Sequence, residues 1–82
     1  MQYRFLVVIE KGNETYAAYV PDLPNCMAVG TTLEEVERNM QEALIQHVQE
    51  LIERQEPIPQ PQTTARFVEM TMPELPDSQT SM

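Results

Sequence analysis

Cysteine occurs once in these 82 residues, tryptophan not at all, glycine twice, and lysine plus arginine five times. Each scarcity excludes something. A lone thiol, Cys26, cannot form an internal disulfide, and no Cys/His cluster has the spacing of a metal site. Five basic residues stand against 13 acidic ones, for a formal net charge of −8. The clustered Lys/Arg that displaces counterions from a nucleic acid is therefore missing. The same balance disfavours an anionic membrane surface. No run approaches the roughly 20 apolar residues of a spanning helix. The apolar stretch near the start is too short for a signal sequence, and no small-residue cleavage site follows it. The expectation is a soluble, cytoplasmic protein with Cys26 reduced, no nucleic acid bound directly and no membrane contact. A chain this small buries only about 60% of its unfolded surface. Without a disulfide or metal to staple it, self-association or a permanent partner is expected. The acidity suits a basic protein partner, or serves solubility alone.

What is present reads as alternating strands and one helix. Tyr3 to Glu10 has strand character, with Leu6 and Val8 on one side and Phe5, Val7 and Ile9 on the other. Both sides are apolar, which predicts a central strand covered on both faces. Lys11-Gly12-Asn13-Glu14 predicts a hairpin connection, with Gly12 and Asn13 tolerating positive φ. A second strand follows from Thr15 to Val20, then two prolines, Pro21 and Pro24, and a short third strand from Cys26 to Val29.

Thr32 stands three residues before Glu35, the spacing of a capping box. Glu34, Glu35 and Glu37 fall where a helix dipole favours negative charge. The stripe Leu33, Val36, Met40, Ala43, Leu44, Val48, Leu51 and Ile52 has the helical period, and Pro57 is the expected stop. Pro57, Pro59 and Pro61 predict an extended connector. Ala65 to Met72 reads as a last strand. The domain is placed at residues 1–73, with 74–82 as a flexible tail. This order predicts an α+β, βββαβ fold. Its mixed four-stranded sheet has order 3-2-1-4, with the helix as a right-handed crossover covering one face. The uncovered face calls for a second molecule.

Val8-Ile9-Glu10, then Tyr16 to Cys26 with its Pro21-Asp22-Leu23-Pro24-Asn25-Cys26 turn, then Gly30-Thr31-Thr32-Leu33-Glu34-Glu35-Val36, and a helix ending before Glu56-Pro57-Ile58-Pro59, resemble the HicB-like antitoxin family. The resemblance runs from about Tyr3 to Pro59. It implies a partial ribonuclease-H-like fold, a homo-oligomer (dimer or tetramer), and a toxin partner, HicA, a small basic ribonuclease. Asn25 stands where the family commonly has glycine, and asparagine tolerates the left-handed conformation such a turn needs. Longer members append a DNA-binding domain, for which this sequence leaves almost no room.

Ribonuclease-H chemistry needs carboxylates converging on metal ions, one of them mid-way along the first strand. Leu6-Val7-Val8 occupies that position. No catalytic residue, metal or cofactor is therefore expected, and the fold reads as a scaffold without the activity. Cys26 reads as a small buried apolar residue, and His47 as a boundary or hydrogen-bonded core histidine. Tyr16 and Tyr19 project to opposite sides of their strand and suit either packing or an interface. The residues assigned to partner binding are Tyr16, Asp22, Leu23, Glu34 and Glu35. For Asp22 the competing role is an Asx-type turn bond to a nearby amide. The reading is a non-catalytic antitoxin module that occludes a basic ribonuclease. A stand-alone homo-oligomer of the same fold is the alternative.

Overall fold

Two prolines build the tightest part of the chain. The structure, a computed structural model, describes residues 2–73. Pro21 and Pro24 each occupy the second position of a four-residue turn, where a φ fixed near −65° is already correct. The first turn closes with the Leu23 N–H donating to the Val20 carbonyl at 3.1 Å, the second with the Cys26 N–H donating to the Leu23 carbonyl at 3.3 Å. Asn25 completes the second turn at φ 66°, in the left-handed region expected of it. The double turn drops Leu23 into the core, where it is 1% exposed.

This turn sets the lengths of the strands on either side. β1 (Val8–Lys11), β2 (Tyr16–Tyr19) and β3 (Met27–Gly30) form an antiparallel sheet in the order β1-β2-β3. Val8 lies opposite Tyr19, so the part of the chain before Val8 faces the stretch where β2 has already broken into Pro21. The paired part of the first strand is therefore 8–11, at the end of the predicted 3–10. The expected hairpin forms between β1 and β2 without using positive φ. Its Gly12 N–H donates to the Thr15 carbonyl at 2.7 Å, and neither Gly12 nor Asn13 takes positive φ.

The register divides the residues cleanly between two faces. Ile9 opposite Ala18, and Ala18 opposite Ala28, place these three on the inner face with Tyr16, Val20 and Cys26. Val8, Tyr19 and Met27 align on the outer face, and Ala17 and Val29 sit beside them.

α1 (Leu33–Glu53) covers the inner face with Val36, Met40 and Val48 fully buried and Ala43, Leu44 and Leu51 packed beside them. Leu33 and Ile52, assigned to the same stripe, lie at its margins and are exposed. Thr32 caps the helix as expected, its hydroxyl accepting from the Glu35 N–H at 3.0 Å. The reciprocal half is shifted by one residue. The Glu35 carboxylate accepts from the Thr31 N–H at 2.6 Å and from the Thr31 hydroxyl at 3.1 Å. At the other end the helix stops before Pro57 is reached. Gln55, at φ 57°, donates to the Ile52 carbonyl, and Glu56 donates to the Leu51 carbonyl, which together form a Schellman motif with proline just beyond it. Arg54 lies 3.8 Å from Glu50 on an exposed surface, a pair that contributes little.

The predicted fourth strand is not formed. Among the described residues the sheet has three strands, so β1 lies at an edge, not at the centre of a 3-2-1-4 sheet. The connector after α1 is pinned by Ile58 against the core. Residues 65–72 are then exposed and do not join the sheet. The observed architecture is α+β, three antiparallel strands and one helix. The tail assigned to 74–82 lies outside the described residues.

Candidate partner-binding surface

The two ends of the sheet receive different chemistry. At one end Tyr16 stands opposite both Lys11 and Gly30. Gly30 brings the start of the helix against the sheet: a Cβ there would lie 2.6 Å from the Val36 nitrogen. Tyr16, Glu34 and Glu35 are thereby gathered at this end. Tyr16 is half-buried against the core, with Glu34 exposed and Glu35 partly so. The two donors from Thr31 hold the Glu35 carboxyl below its ordinary pKa, so it remains an anion. A negative helix start beside a tyrosine edge can receive a cationic side chain without first losing a proton.

Asp22 and Leu23 lie at the opposite end, in the double turn, so the five assigned residues do not form one site. Leu23 is a core residue and offers a partner no surface, because both turns converge on it. Asp22 makes no Asx bond to a nearby amide. Its carboxylate accepts from the Gln62 N–H at 3.2 Å, the Thr63 N–H at 3.2 Å and the Thr63 hydroxyl at 3.0 Å. Nothing local in the sequence signals that pairing, which spans 40 and 41 residues.

The outer face of the sheet carries an apolar patch. Met27 is 64% exposed and Val29 65%, with the exposed Tyr19 beside them and the half-buried Val8 beyond. Tyr16 points inward and Tyr19 outward, so only Tyr19 contributes to this patch. Asn39 on the helix donates to the Val29 carbonyl at 2.8 Å and ties α1 to β3.

Cys26 is buried, and burial pushes its thiol up, which keeps it protonated and unreactive. His47 is half-buried and borders a shallow groove with Asn25, Met27 and Glu50. Among the described residues no group of three or more His, Cys, Asp or Glu side chains is placed to hold a metal ion. No helix among them is long and apolar enough to cross a membrane.

Three comparisons bear on this arrangement. The chain is 34% identical over 62 residues to an uncharacterised 14.9 kDa protein from the rep-hol intergenic region of Haemophilus phage HP1 (strain HP1c1). That alignment takes in 76% of this chain and 47% of the phage protein, so the chain spans about half the length of its relative. In structure the chain is similar to one from a HicA3 and HicB3 toxin–antitoxin complex, with a TM-score of 0.59, 27% identity and 72% of each chain covered. Residues 5–79 match the model of the HicB-like antitoxin of bacterial toxin–antitoxin systems. With nearly the whole sequence matched, from the first strand through the helix and beyond, this chain belongs to the HicB-like antitoxin family.

Proposed function

We propose that this chain is a non-catalytic antitoxin module that binds a small, basic, HicA-like ribonuclease and covers its RNA-binding surface. The observation that carries the reading is the likeness to a chain of the HicA3 and HicB3 complex, together with the family match. The physical properties agree. A chain with a formal net charge of −8 is attracted to a protein that must itself be basic to hold RNA. The contact surface in this reading is the end of the sheet that carries Tyr16 and the start of the helix with Glu34 and Glu35. Tyrosine supplies area at little entropic cost, and the carboxylates supply charge aimed at lysine or arginine. Asp22 contributes through the segment it holds.

Co-expression with a small, basic, HicA-like toxin tests the proposal. A tagged toxin should carry the untagged chain through purification at low salt. Glu34→Lys should weaken the complex and flatten its salt dependence. Failure to co-purify at low salt would overturn the reading.

A further inference from the structure

The helix covers one face of the sheet and leaves the other open. On the open face Tyr19 lies in register with Val8 on one side and Met27 on the other, and Val29 follows in the next row opposite Ala17. Tyr19, Met27 and Val29 are exposed, so these side chains form one apolar strip and not scattered positions. A half-solvated antiparallel sheet normally turns polar residues outward. Apolar side chains held outward at this exposure contribute little to the core, and contiguous patches of them mark binding surfaces. Their strands are rigid, so a partner that docks there meets a surface with little freedom left to lose.

Two observations identify the occupant by its charge. The first is the border of the strip. Among the strand positions of this face the charged residue is Glu10, in register with Ala17. Beyond Val29 the chain passes to Thr31, whose N–H and hydroxyl hold the Glu35 carboxylate. Asn39 ties the same Val29 to the helix. The acidic helix start therefore abuts the β3 edge of the strip. The second is the whole chain. Another copy would bring a further net charge of −8 to the face, and like net charges repel. A basic partner is attracted by the same charge.

We propose that the outer face is the apolar half of the surface that holds the basic ribonuclease. Tyr19, Met27 and Val29 seat an apolar strip of that protein, and Glu10 and Glu35 meet the lysines or arginines beside it. The inference rests on the toxin-binding reading and places the affinity on side chains which that reading does not use. The desolvated centre supplies most of the binding energy, and the carboxylates at its border supply encounter rate and orientation.

Affinity of the full chain for a small, basic, HicA-like toxin, measured by calorimetry over a series of salt concentrations, tests the division. Met27→Thr with Val29→Thr removes the strip while keeping strand propensity. It should weaken binding about tenfold and leave the slope of log Kd against log salt unchanged, because no charge is altered. The circular dichroism should match that of the native chain. Val68→Thr with Met70→Thr makes the same kind of change at exposed positions outside the sheet and should leave the affinity unaltered. An outer-face variant that binds as tightly as the native chain would overturn this proposal and leave the antitoxin reading standing. A loss confined to the variant at 68 and 70 would overturn it too, since the contact would then lie on that segment. So would a free chain whose mass by light scattering halves in the variant at 27 and 29, because a second copy would then cover the face. A native chain that shows no binding at low salt overturns the antitoxin reading itself, and this proposal with it.

Discussion

The Asp22 carboxylate and Thr63 are joined twice, through the Thr63 hydroxyl at 3.0 Å and its N–H at 3.2 Å, across 41 residues of chain. The Gln62 N–H adds a third bond at 3.2 Å. The turn between β2 and β3 thus fixes where the connector leaves the body.

Asp22→Ala should release this clamp without disturbing the core, because the double turn closes through backbone bonds. The expected loss is roughly 1 kcal/mol, the net worth of an accessible hydrogen-bonded group. Hydrogen exchange should show Gln62 and Thr63 losing protection while the Val36 to Val48 amides keep theirs. Unchanged protection at 62 and 63 would show that another contact holds the connector.

Gly30 stands where helix and sheet approach most closely, and the added methyl of Gly30→Ala would lie 2.6 Å from the Val36 nitrogen and 2.9 Å from its Cα. Both are backbone atoms and cannot rotate away, so the helix start must shift off β3. A destabilisation of about 1–3 kcal/mol is expected in urea unfolding, the usual range for overpacking. Gly12→Ala, where the nearest atom is a carbonyl oxygen at 3.2 Å at an exposed turn, should cost clearly less.

The helix start should also carry a pH signature. The Thr31 N–H and hydroxyl hold the Glu35 carboxyl below its ordinary value of about 4.5 in the folded state. Because the folded value is the lower one, its stabilising effect is complete above the unfolded value and is lost as pH falls through the folded one. Glu35→Gln should therefore lower the urea midpoint at about pH 7, and the difference from the native chain should shrink in acid, as pH falls below the ordinary glutamate value of about 4.3. Thr32→Ala removes the neutral half of the cap and should cost about 1 kcal/mol at both pH values.

Much of this fold could be read from local chemistry. Pro21-Asp22-Leu23-Pro24-Asn25 encodes the double turn, including the left-handed Asn25, and Thr32 with Glu35 encodes the helix start. The apolar period encodes the buried face of α1. What escaped depends on tertiary geometry. The span of β1 is set by where β2 breaks opposite it, and the helix end by a left-handed Gln55 that no composition rule favours. Leu23 looks like a turn-surface residue in sequence and is buried because two turns fold over it. The pattern at Ala65 to Met72 reads as strand, yet the segment stays outside the sheet, because alternation marks strand character and not a pairing edge. Of the candidate contact residues, Tyr16, Glu34 and Glu35 come together only because β3 delivers the chain to the helix start beside β2.

RNA cleavage measures directly whether this chain silences a ribonuclease by binding it. The HicA-like toxin should lose activity in proportion to added chain and reach zero at a fixed, stoichiometric ratio, with the inhibition weakening as salt is raised. Cleavage that continues unchanged with the chain in large excess would contradict it.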